Sequence, residues 1–151
     1  MIEGKRACPE CGAVREAGVT CQDHFHQMLF WEAEDPQRGE VHHIMVLCYH
    51  LQHPSLYSPE GLETGKRLLA DFLIGNVTPE EARRRNRAQF DSWERTWKIK
   101  GTPERHGAYE PPVHWTMTAA SVAAGGPDEY CERVRQWAKS VYEAHQEGGL
   151  L

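Results

Sequence analysis

Cys8, Cys11 and Cys21 are the residues whose type and spacing most plainly suggest chemistry. The first two lie in Cys8-Pro9-Glu10-Cys11-Gly12, a C-P-x-C-G pattern. A two-residue spacer lets a tight turn aim both sulfurs at one cation, and a glycine after the second lets the backbone fold beneath them. The rival use of C-x-x-C is a thioredoxin-like redox pair, but that motif follows a strand and opens a helix. Here only seven residues precede Cys8 and poor helix formers follow Cys11, so a zinc knuckle is the expectation.

A structural zinc site wants four ligands, and Cys21 is the natural third. It falls where a helix is expected to begin, and free amides at a helix start favour a thiolate. Two histidines compete for the fourth place. His24 lies one helical turn after Cys21, an ordinary C-x-x-H spacing. His53 becomes a neighbour of Cys21 if the first two helices form an antiparallel hairpin, and it is preferred, with His24 as the alternative. His42 shares a face with His53 but lies about 16 Å away at 1.5 Å per residue, so the two cannot serve one ion. Iron competes with zinc for the same thiolates.

Other chemistry is less sharply written. Glu32, His42 and Tyr49 are candidates for a cleft between the first two helices, where a carboxylate and an imidazole could do acid–base work or merely tie the hairpin. Arg83, Arg84, Arg85 and Arg87 lie in a stretch, Thr78 to Lys100, with seven basic and four acidic residues. Flanking glutamates make a solvated helix face the better reading of it than a nucleic-acid surface. Nucleophile elbow, P-loop and dinucleotide glycine patterns are all missing from the sequence. Cys48 and Cys131 read as core-filling thiols, and His43, His106, His114 and His145 as hydrogen-bonded or solvent-facing side chains.

The elements that must position these residues are helical. A first helix starts near Cys21 and ends before Pro36 and Gly39. A second, apolar on every side at Ile44 to Cys48, runs from about Val41 to His53 and stops at Pro54. Ser58-Pro59 opens a third that carries Leu62, Leu69, Phe72 and Leu73 and closes at Gly75-Asn76. The capping box Thr78-Pro79-Glu80-Glu81 begins a fourth, running through Phe90 and Trp93 and as far as Trp97 at most. Thr118 caps a short turn over Ala119 to Ala124. Beyond Pro127, Tyr130, Val134, Trp137, Ala138 and Val141 form the best amphipathic stripe in the chain, with Gly148 past its end. The expected fold is all-α: an antiparallel bundle of about five helices with an N-terminal zinc knuckle and one long loop at about 98–117. Residues 1–20 form an irregular lead-in packed on a helical body, 21–148, in a single domain.

Composition sets the class. The chain has 151 residues, 40% hydrophobic and 26% charged, enough for one core without disulfides. A net charge of −5 argues against a dedicated nucleic-acid binder. No apolar run reaches membrane-spanning length, and residues 1–7 lack the apolar stretch of a secretory signal. A cytoplasmic protein with an odd number of unpaired cysteines, five, is expected, with an unidentified protein or small molecule as its partner.

The residues Cys8-Pro9-Glu10-Cys11-Gly12, Cys21, His42 and Tyr49-His50-Leu51-Gln52-His53-Pro54 resemble an uncharacterised bacterial family, one of the domains of unknown function. Trp115-Thr116-Met117-Thr118-Ala119-Ala120, followed by a Trp-containing helix, is similar as well. The resemblance implies that Glu32, His42, Gln52 and His53 belong to the family's pattern and that His24 and His50 do not. It therefore favours His53 as the fourth ligand, and it implies no activity.

Overall fold

In the computed structural model of the chain, residues 6–15, 18–75, 77–78, 80–81, 84, 100–109 and 112–148 are described. Among them are five α-helices: α1 (Cys21–Glu34), α2 (His42–Gln52), α3 (Pro59–Leu73), α4 (Ala119–Ala124) and α5 (Tyr130–Glu147). The fold is the expected helical bundle. The lead-in is more regular than its sequence suggests, because β1 (Arg6–Ala7) pairs antiparallel with β2 (Val14–Arg15). Two-residue strands carry little intrinsic signal, and what makes them pair is the turn between them.

Local chemistry fixes each helix start. Thr20 caps α1 by accepting the Asp23 amide at 3.1 Å, while Asp23 accepts the Thr20 amide at 2.8 Å. Asp35 caps a short 3₁₀ segment, Pro36–Val41, which fills the place where a plain turn is expected. Ser58 accepts the Gly61 amide at 2.9 Å to open α3, which ends at Leu73, slightly before Gly75. At the expected fourth helix, Thr78 accepts the Glu81 amide at 3.2 Å, and Glu80, Glu81 and Arg84 are helical. Phe90, Trp93 and Trp97 lie outside the described residues.

The core forms around α2, which packs against α3 and α5, while α1 packs on α4 and the 3₁₀ segment. Tyr130, Val134, Trp137, Ala138 and Val141 are all buried, as the stripe on α5 requires. They meet Met45, Cys48 and Leu51 of α2 and Leu69 of α3 in one cluster. Full burial of a large apolar side chain contributes about 1.5–3 kcal/mol, so this cluster is the main stabilising term. Gln52, wholly buried, is held from two sides: it accepts Trp137 Nε1–H at 3.2 Å and donates to the Met117 carbonyl at 2.7 Å. Cys48 fills core as expected; Cys131 is half-buried and packs against the edge of the core, its thiol near the Gln37 carbonyl at 3.6 Å.

Residues 100–109 and 112–117 form the expected loop, and it is strapped down. The Gly101 and Gly107 amides donate to Leu56 and Tyr57 carbonyls at 3.0 and 2.8 Å. Tyr109 donates its hydroxyl to the Leu51 carbonyl at 2.7 Å and lies 3.1 Å from His145 Nε2.

Candidate metal centre

Helices α1 and α2 are arranged head to tail: the start of α1, Cys21, meets the end of α2 at His53, while Glu32 near the other end of α1 meets His42 at the start of α2. This places two polar clusters at opposite ends of one helix pair. The first gathers Cys8, Cys11, Cys21 and His53, all buried, with one ligand atom from each lying within 4.8 Å of every other. Such a group could hold a metal ion.

The knuckle presents its sulfurs through backbone geometry. Gly12 adopts φ 76°, a left-handed conformation that side chains disfavour, and its amide donates to the Cys8 carbonyl at 2.9 Å. The Cys8 amide returns to the Ala13 carbonyl at 2.8 Å, and the Cys11 amide points at Cys8 Sγ at 3.5 Å. Glu10 ties the turn to the body: its carboxylate accepts both the amide and the hydroxyl of Ser55 at 2.9 Å, just past Pro54. The C-P-x-C-G pattern gave no hint of that contact.

His53 has one ring nitrogen occupied and one free. Nδ1 lies 2.7 Å from the Tyr49 carbonyl, so it carries the proton as donor. Nε2 is buried, has no hydrogen-bond partner and belongs to a group with three sulfurs. A ligating histidine is ordinarily oriented in this way, through its other nitrogen. The Tyr49 ring stacks beside it at 4.4 Å and against Phe25 at 4.6 Å. Burial disfavours charge on His53, but interaction with the Cys21 sulfur and the Tyr49 carbonyl wins and lifts its pKa to about 9, so a proton competes for the position that Nε2 offers a cation. Cys11 and Cys21 sulfurs lie 3.6 Å apart. The Cys11 thiol beside it holds Cys21 down at about 4, against its burial, and Cys11 is raised in exchange. His24 is half-buried on α1 and stands outside the group.

At the far end of the helix pair, Glu32 is buried and accepts from His42 Nδ1 at 2.6 Å and from the Tyr130 hydroxyl at 2.5 Å. The His42 side chain is 43% exposed. Tyr49 lies with the sulfur group two helical turns away, so the structure joins Glu32 to His42 and places Tyr49 elsewhere. Tyr130, which completes this cluster, was invisible as a polar group because it falls on the apolar stripe of α5. Of the arginine group, Arg84 is exposed and paired with Glu81; Arg83, Arg85 and Arg87 lie outside the described residues.

Fold and site together define an all-α protein with a buried three-cysteine, one-histidine group able to hold a metal ion. The chain belongs to the family of unknown function DUF5946, which matches residues 6–146. Neither a curated protein nor a solved structure matches it. Among the described residues, no helix is long and apolar enough to cross a membrane.

Proposed function

We propose that Cys8, Cys11, Cys21 and His53 hold one structural zinc ion, and that the helical body so locked serves as a binding module for a protein or small-molecule partner. The observation carrying this reading is the buried, unpartnered Nε2 of His53 among three sulfurs, with Nδ1 already committed to Tyr49. A buried ring nitrogen without a partner costs on the order of 1–3 kcal/mol, and a bound cation would remove that cost. Three thiolates and an imidazole suit zinc, and four protein ligands leave no position for a reacting water. The ion would then contribute folding free energy rather than chemistry. Five free cysteines fit a reducing cytoplasm as its compartment.

Elemental analysis of purified protein tests this. One zinc per chain is expected for wild type and for His24→Ala, and none for Cys8→Ser or His53→Ala. Loss of metal from His24→Ala with retention in His53→Ala overturns the ligand set, and stoichiometric iron in freshly purified protein overturns the metal.

A second reading, an acid–base enzyme, is favoured by one observation: a buried carboxylate holds the half-exposed His42 by its Nδ1. That arrangement orients an imidazole for proton transfer. Assays against ester, amide and phosphoester panels would support it if an activity were found that His42→Gln abolishes. Without such an activity, the pair is a tie between helices.

A further inference from the structure

The knuckle has almost no core of its own. Along residues 7–14 buried and exposed positions nearly alternate: Cys8, Cys11 and Ala13 point inward, while Ala7, Pro9, Gly12 and Val14 are exposed. The sulfurs thus lie one residue beneath the surface. Among the described residues, beyond the packing of Ala13 in the buried cluster, this small hairpin is held to the helical body by the four-residue group and by the Glu10–Ser55 contact. The three sulfurs are also not equivalent. Cys11 and Cys21 are in direct contact at 3.6 Å, whereas Cys8 Sγ is engaged by the Cys11 amide.

We infer that the site is a peroxide-responsive latch, in which Cys11 and Cys21 form a disulfide that expels the bound cation and frees the knuckle from the end of α2. The inference rests on the proposed zinc site and adds its regulation. The chemistry balances with a hydroperoxide as oxidant. One sulfur, as thiolate, attacks the peroxide O–O bond, giving a sulfenic acid and one molecule of water or alcohol. The second sulfur displaces the hydroxyl as water, leaving the S–S bond; two thiols are oxidised and one peroxide is reduced. Cys21 is suited to attack first, since it stands at the start of α1, where free backbone amides favour a thiolate, and lies against Cys11. A disulfide sulfur is a poor ligand, so the cation retains only Cys8 and His53. The disulfide ties the knuckle to the start of α1, and its polar tether to the end of α2, among the described residues, is then Glu10 to Ser55, a contact near the surface.

The test uses metal-loaded protein carrying Cys131→Ser, which removes the half-buried thiol outside the site. Hydrogen peroxide is added stepwise while a chromophoric chelator reports release, and peptide mapping locates disulfides. One metal ion released per peroxide consumed, a Cys11–Cys21 disulfide, and recovery with dithiothreitol plus zinc are expected. Hydrogen exchange at the Cys8 and Gly12 amides should rise at least about tenfold on release. Retention of metal under several equivalents of peroxide overturns the latch, as does a disulfide involving Cys8. Protein that carries no metal as purified and takes up none on reconstitution overturns the zinc site, and the latch with it; a loaded site that resists peroxide overturns the latch alone.

Discussion

Single side chains account for the sharpest features of this molecule. His53 is one; His145 is the other. His145 is wholly buried on α5, its Nε2 against the Tyr109 hydroxyl and its Nδ1 without a partner. Burial, aided by the nearby Lys66 charge, lowers its pKa to about 4 from an ordinary 6.5. Between those values the unfolded chain binds a proton that the folded chain refuses. The contribution is therefore full above about pH 6.5 and falls as pH drops toward 4, by on the order of 3 kcal/mol. Denaturant titrations across this range should show the loss in wild type. His145→Gln, which can still donate to Tyr109, should show a shallower pH slope by about that amount, and an unchanged slope would remove His145 as the cause. Residue-scale legibility in the sequence was uneven. Cys8 and Cys11 could be read from spacing because metal geometry constrains sequence separation within a turn, and Cys21 from its place at a helix start. Glu10 with Ser55 and Glu32 with Tyr130 could not, since nothing local to either partner records a contact so distant in the chain.

At the scale of elements, the helices were mostly legible because capping and periodicity are local. Thr118 before α4, Ser58 before α3 and the apolar stripe of α5 each stand in the sequence much as they do in the fold. The 3₁₀ segment and the β1–β2 pair were not, because short segments take their conformation from what they pack against. The Thr20–Asp23 box was a missed signal, its third position filled by Asp in place of the usual Glu or Gln. The strap at 100–109 illustrates how packing dictates a residue choice that periodicity cannot explain. A side chain at Gly101 would place its Cβ 2.3 Å from the Ser55 carbonyl oxygen and 2.6 Å from that of Tyr57. Those are backbone atoms, so the strap would have to move. Gly101→Ala should cost about 1–3 kcal/mol in denaturant unfolding and speed exchange of the Gly107 amide. A variant as stable as wild type would show that the strap is held less closely than its hydrogen bonds imply.

For the whole molecule, the cysteine–histidine group forms one edge of a core made mainly by the helices. Trp137, Val134 and Leu51 share one buried cluster with Cys8, Cys11 and Cys21, and most of that cluster is apolar side chains of α2, α3 and α5. Removing the proposed zinc with a strong chelator should therefore lower the melting temperature by on the order of 10 °C while leaving most far-ultraviolet helical signal below the transition. A melting temperature that ignores the chelator would show the group to be a packed set of thiols and no more. The head-to-tail arrangement of α1 and α2 also has a consequence for biosynthesis. Two donors emerge from the ribosome early, in the knuckle, but His53 appears only after both helices have been made. A nascent chain would hold an incomplete claw until the second helix had turned back, so tight capture of the proposed ion would report that the turn at Pro36–Val41 had formed.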